Sequence, residues 1–266
     1  MTTVALTGPI DDAVFWLGMT VDRLRRWNVV LAALHFAQAV AMVVLSTALT
    51  LPVTGAFSTG PPGQPESPVR LEELFSYRLG YAIALFSLLS AIFHAIVASP
   101  WGWPRYVTEL NAERNRFRWV EYSLSASLMI VIIAGITGIT DVAALIALFV
   151  VNASMILFGW LMETTNRSRG DGVSWTPFWF GCIAGAAPWV AISIYLIGAG
   201  SDVPGFVYGI FVSLFVFFNC FAITQWLQYR ANGRWADYLR GERSYMVLSL
   251  LAKSALAWQV FANVLV

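Results

Sequence analysis

Seven apolar stretches of about twenty residues or more leave this chain few architectures. They run over 28–51, 74–98, 118–138, 142–163, 176–199, 204–228 and 244–265. A hydrocarbon layer about 30 Å thick takes about 20 residues of helix to cross, and each segment must satisfy its own backbone polar groups there. Hydrophobic residues make up 58% of the 266-residue chain and charged residues 12%, against about 25% charged in soluble domains. Mean hydropathy is +0.69. The expectation is an all-α membrane protein: one seven-transmembrane-helix bundle, a single domain over 1–266 in the lipid bilayer.

Most links between the stretches are short. Gly138–Asp141 and Gly200–Asp202 imply antiparallel neighbours. The loop 52–70 (PVTGAFSTGPPGQPESPVR) is rich in Pro and Gly and is not helical; a loop that long between packed helices is a functional or interaction surface. Residues 1–27 carry acids and arginines without a compact apolar run, so no cleavable leader is expected. Arginine is distributed unevenly. Thirteen arginines flank one face of the bundle and two, Arg70 and Arg78, flank the other. By the positive-inside rule the N-terminus is cytoplasmic and the C-terminus, after seven spans, extracellular. No basic patch stands apart from these flanks, so nucleic acid is not a partner. Cys182 and Cys220 lie in apolar runs and read as packing residues, neither a disulfide nor a metal pair. No glycine-rich phosphate loop or metal-ligand motif is present.

Lys253 is the only lysine of the chain, and it falls in the middle of the seventh stretch. A charged side chain at a helix centre in lipid costs about 2.5–3.5 kcal/mol, so it needs a partner or a task. Lysine condenses with carbonyl compounds and arginine does not, so a lone lysine in apolar surroundings suits Schiff-base chemistry. A structural lysine paired with a carboxylate across the bundle is the plainer alternative. Glu121 is the carboxylate for it. Counted from the flanking arginines, Glu121 lies about 10 Å shallower than Lys253 at 1.5 Å per residue, unless the arginine-rich start of its helix dips into the bundle. The competing role for Glu121 is an interfacial acid paired with Arg118 one turn away.

His35 and His94 sit at a depth similar to Glu121, and Gln38 shares the His35 face. Either histidine alone is a hydrogen-bonded packing residue. Together with a glutamine and a glutamate at one level they outline a polar cavity. Glu242, Ser249 and Lys253 recur at spacings of seven and four and line one helix face. Glu163 reads as an interfacial charge closing the fourth stretch. Most of the aromatic residues, which are 15% of the chain, serve as interfacial anchors. Trp189 and Phe218 lie deeper and could wall an elongated apolar ligand.

The segments LHFAQAVAMVVLS (34–46), RWVEYSLSASLMIVIIAG (118–135) and SYMVLSLLAKSALAWQVFANVL (244–265) closely resemble the first, third and seventh helices of heliorhodopsins. The orientation derived above, opposite to that of ordinary microbial rhodopsins, is that family's hallmark. The resemblance spans the chain. It implies all-trans retinal on Lys253, Glu121 as counterion, and a hydrogen-bonded cavity with His35, Gln38, His94 and Ser249. It also implies that the long first loop forms strands that help hold a homodimer.

Proton pumps of the bacteriorhodopsin type place a carboxylate, a hydroxyl and a second carboxylate on the third helix at offsets of zero, four and eleven, and an aspartate one turn before the lysine. Here Glu121, Ser125 and Ile132 hold the three offsets and Ser249 the last position, so two of the three carboxylates are missing; Ser125 is counted with the retinal-binding residues. The reading is a photoreceptor, not an enzyme, with a slow photocycle, no ion pumping and an unidentified cytoplasmic signalling partner. A light-driven or light-gated ion transporter is the alternative. A non-photoactive membrane enzyme or scaffold would require that no pigment form.

Overall fold

The structure is a computed structural model and describes residues 21–61, 69–166 and 168–265. Most of the N-terminal segment 1–27, the middle of the first loop and Arg167 lie outside those residues. Eight helices and one hairpin follow in the order α1 (Val21–Val44), β1 (Thr50–Ser58), β2 (Val69–Arg78), α2 (Leu79–Ala98), α3 (Gly102–Asn111), α4 (Arg116–Ile136), α5 (Val142–Thr165), α6 (Thr176–Ala199), α7 (Gly205–Arg230) and α8 (Tyr238–Val260). Among the described residues, seven helices are long and apolar enough to cross a membrane: α1, α2 and α4–α8.

Helix starts follow from caps. Asn115 accepts from the Arg118 backbone N–H at the start of α4, and Asp141 from that of Ala144 at the start of α5. Asp237 caps α8 through the Leu239 N–H. Each supplies a side-chain acceptor to backbone donors that have no partner within the first turn. Pro177 opens α6, where a missing N–H costs nothing.

The first loop forms strands, as the family resemblance implies, so the otherwise helical bundle carries one hairpin. β1 and β2 pair antiparallel from Thr50↔Arg78 to Ser58↔Val69, with a bulge between Val53 and Thr54. The first stretch, expected to run to 51, ends as helix at Val44, and the second begins at Leu79, not 74. Leu51, Val53, Leu74 and Phe75 are as apolar as a helix interior, so hydropathy alone runs strand and helix together. The hairpin docks on the α4–α5 turn. Thr54 N donates to Thr140 O at 2.8 Å, and the two threonine hydroxyls lie 2.9 Å apart. Gly135 leaves room for Tyr77, because a Cβ there would stand 2.9 Å from Tyr77 Oη.

Further boundaries differ: α1 starts at Val21, not 28. The seventh span starts at Tyr238, not 244, because Asp237 caps it ahead of the apolar run. The short α3 was not expected at all. It buries Tyr106, Glu109 and Leu110 while Trp101 and Arg105 stay exposed, the arginine stacking 4.3 Å over the indole. The starts of α1, α4, α6 and α8 and the ends of α2, α5 and α7 form one end of the bundle, here called the arginine-rich end.

Candidate functional site

Lys253, 3% exposed, sits midway along α8. Its Nζ donates to Glu121 Oε1 at 2.8 Å and to Ser249 Oγ at 2.8 Å. Side chains on a helix lean toward its N-terminus, so the lysine bends back one turn and its ammonium meets Ser249. The depth mismatch counted from the sequence closes for a second reason. Arg118 is not at the surface; it is 5% exposed and lies inside the bundle, so α4 enters deeper than its arginines suggest. Glu121 therefore pairs with Lys253, and Arg118 has other partners.

Ser90 Oγ donates to Glu121 Oε1 at 2.6 Å, and the Tyr122 ring lies 5.0 Å beneath Lys253 Nζ. A buried ion pair costs less when hydrogen bonds satisfy the carboxylate and a ring face meets the cation. Beside Glu121 the rings of His35 and His94 stack, with centroids 5.7 Å apart and planes 7° from parallel. His94 Nδ1 is 2.8 Å from Asn28 Oδ1, while the His35 ring nitrogens make no hydrogen bond within the protein. Gln38 bridges α2 and α8: its amide donates to Ser87 at 2.9 Å and accepts from Ser254 at 2.8 Å. Ser125 is buried with an unpartnered hydroxyl and is not among the residues lining the cavity described next.

That cavity, of about 310 Å³, opens from the lysine between α4, α5, α6, α7 and α8. Its volume falls within the range of small-molecule sites. Lys253 and Ser249 line it with polar groups, and Trp189 and Phe218 line it as well; their rings meet edge to face with centroids 5.4 Å apart. Gly159, Gly181 and Gly185 line it too, and a Cβ on Gly185 would stand 2.5 Å from Met155 Sδ. Between α6 and α7 the lining residues Cys182, Ala186, Phe215 and Asn219 are exposed, so the cavity opens sideways. Cys182, expected as a packing residue, is at that mouth.

A second charged group lies nearer the arginine-rich end. Arg118 Nη2 donates to Glu163 Oε1 at 2.5 Å, and Nη1 donates to Glu242 Oε2. Glu163, expected at the interface, is 3% exposed. It also accepts from Asn115 N at 2.9 Å, Trp119 Nε1 at 2.6 Å and Tyr238 Oη at 3.2 Å. Glu242 accepts from Asn115 Nδ2 at 2.7 Å and from Tyr106 Oη at 3.0 Å. Burial and the neighbouring Glu242 carboxylate hold the Tyr106 phenol well above its ordinary range, so it stays a neutral donor. The Arg118 guanidinium lies 4.0 Å over the Tyr245 ring. Sequence reasoning missed this group, because its members come from four helices.

The heliorhodopsin family model matches residues 24–265 of this chain, nearly its whole length. No curated protein shows significant similarity to it.

Proposed function

The chain belongs to the heliorhodopsin family of retinal-binding microbial rhodopsins, and from that premise we propose that it is a light sensor carrying all-trans retinal on Lys253. One observation carries the reading: the sole lysine of the chain lies in the wall of an aromatic cavity of about 310 Å³, with Glu121 2.8 Å from its Nζ. The residues fit the group. The polyene would lie among Trp189, Phe218 and the glycines of α5 and α6, and the aldehyde would condense with the one amine available. When bound, retinal supplies the absorption of visible light and a change of shape on isomerisation.

The chain's own residues handle charge and protons. Glu121 holds a negative charge against Nζ and favours the charged form of that nitrogen. Ser90 and Ser249 fix the geometry. A proton leaving Nζ meets Glu121 first, with the His35–His94 pair beyond it. Among the described residues the buried carboxylates are Glu109, Glu121, Glu163 and Glu242, all on the arginine-rich side of Lys253. On the other side, α4 offers Leu128, Ile132 and Gly135, and α8 and the residues just after it offer Ser254, Gln259 and Asn263. None of these titrates near neutrality. This supports a photocycle without net pumping. It also supports a slow cycle, because a proton that leaves Nζ has to return by the side on which it left.

The arginine distribution supports a cytoplasmic N-terminus in the cell membrane, with the arginine-rich end offered to a signalling partner. The hairpin exposes Phe57, Leu71 and Phe75 at 42%, 70% and 57%, which supports the homodimer that the family resemblance implies. The test of the reading is pigment formation by protein produced with added all-trans retinal. A colourless protein overturns it. A sustained light-driven pH change would move the assignment to a transporter.

A further inference from the structure

We propose that Trp119 is the positioning residue through which the contents of the retinal cavity set the arginine-rich end of the bundle. The inference rests on the retinal reading above. The Trp119 ring lines the cavity and is held there by backbone: a Cβ on Gly159 would stand 2.4 Å from it, so α5 lies directly against the indole. It also meets the Tyr245 ring edge to face, with centroids 5.9 Å apart, and the Arg118 guanidinium lies 4.7 Å over it. Packed in this way, the ring answers a change of shape in the cavity by tilting as a plate.

The far edge of that plate carries the signal. Trp119 Nε1 donates to Glu163 Oε2 at 2.6 Å, a hydrogen bond strengthened by the carboxylate charge and by burial. Such a bond weakens steeply as its angle departs from linear. The same carboxylate holds the Asn115 backbone at the start of α4, the Arg118 guanidinium, and Tyr238 in the first turn of α8. Glu163 itself lies in the last turn of α5. Loosening one indole N–H therefore redistributes the donors of a carboxylate that ties three helix ends together. Among the described residues, no other aromatic side chain of the cavity donates to that carboxylate: Tyr245 lies under the Arg118 guanidinium at 4.0 Å, but its hydroxyl makes no hydrogen bond within the protein. Trp189 packs on Phe211, Phe215 and Phe218, and Tyr122 Oη donates to the Tyr245 backbone carbonyl at 2.9 Å, outside the charged group.

The experiment uses full-length protein in lipid nanodiscs with nitrogen-labelled tryptophan. The indole N–H resonances are recorded without retinal, with all-trans retinal in the dark, and under illumination. Trp119 is assigned by its loss in Trp119→Phe and, independently, by its shift in Glu163→Gln. Its resonance is expected to differ among the three states. Trp119→Phe alters the wall of the cavity, so its absorption band is expected to shift; in the pigmented variant the light-induced change in amide exchange over 112–116 and 233–240 is expected to be lost. A Trp119 resonance unmoved by retinal and light, or an exchange change that persists in Trp119→Phe, overturns the inference. Should Trp119→Phe fail to fold, the wild-type resonance assigned through Glu163→Gln decides alone. A wild-type protein that takes up no retinal overturns the retinal reading and this inference with it; a coloured protein with an unmoved Trp119 overturns this inference only.

Discussion

Glu121 Oε1 and Lys253 Nζ lie 2.8 Å apart although 132 positions separate them in the chain, and Ser90 donates to the same carboxylate oxygen. Three helices thus converge on one buried charge pair beside an aromatic cavity. A cation that forms part of a chromophore has its ground state stabilised by such a carboxylate more than its excited state. The colour of the pigment and the proton affinity of its nitrogen should both answer to Glu121.

Replacing Glu121 with Gln removes the charge and keeps the shape. With no second carboxylate at Ser249 to compensate, absorption is expected to shift to the red, or to the blue where the nitrogen loses its proton at neutral pH. A pH titration of the visible spectrum separates the two outcomes. A spectrum and a titration midpoint both equal to wild type would exclude Glu121 as counterion.

The stacked histidines should affect kinetics more than colour. His35→Phe and His94→Phe preserve a flat ring but remove the ring nitrogens next to the charge pair. Flash photolysis is expected to show altered formation or decay of the deprotonated species in each, with small shifts of the dark spectrum. Kinetics indistinguishable from wild type in both proteins would leave the pair a packing feature.

Much of this site could be read from the sequence, and the shortfall has physical causes. The seven spans follow from hydropathy, and Lys253 and Glu121 stand out because an ionised group in an apolar run needs an explanation. Asn28 and Ser90 went unnoticed, yet Asn28 lies seven residues before His35 and Ser90 four before His94, spacings that put each pair on one helix face. Arg118 was misread for a firmer reason. An arginine at the start of an apolar run looks the same whether it flanks the membrane or is buried, and its partners Glu163 and Glu242 lie in distant helices. The boundaries between the hairpin and its flanking helices were blurred by apolar strand residues, and α3 was hidden by its mixed composition.

Arg118 gives a stability test. Arg118→Leu leaves Glu163 and Glu242 as buried carboxylates without their guanidinium, a loss of about 3–5 kcal/mol for a broken buried pair. Thermal unfolding in detergent is expected to occur at a clearly lower temperature. Adding Glu163→Gln and Glu242→Gln to Arg118→Leu should recover part of the loss. An Arg118→Leu protein as stable as wild type would mean that the group contributes little to the fold.

Illumination is expected to move no net charge across the membrane. Cells containing the pigment, or vesicles reconstituted with it, should show no sustained change of external pH under continuous light. A sustained change abolished by a protonophore would contradict the one-sided placement of the buried carboxylates and favour a transporter.

The central claim is tested most directly by one absorption spectrum. Wild-type protein and Lys253→Arg protein are produced side by side with all-trans retinal, purified and compared in the visible range. Arginine keeps the positive charge opposite Glu121 but forms no Schiff base. The account predicts a coloured wild type and a folded, colourless Lys253→Arg protein. A visible band retained by Lys253→Arg, or none in the wild type, would contradict it.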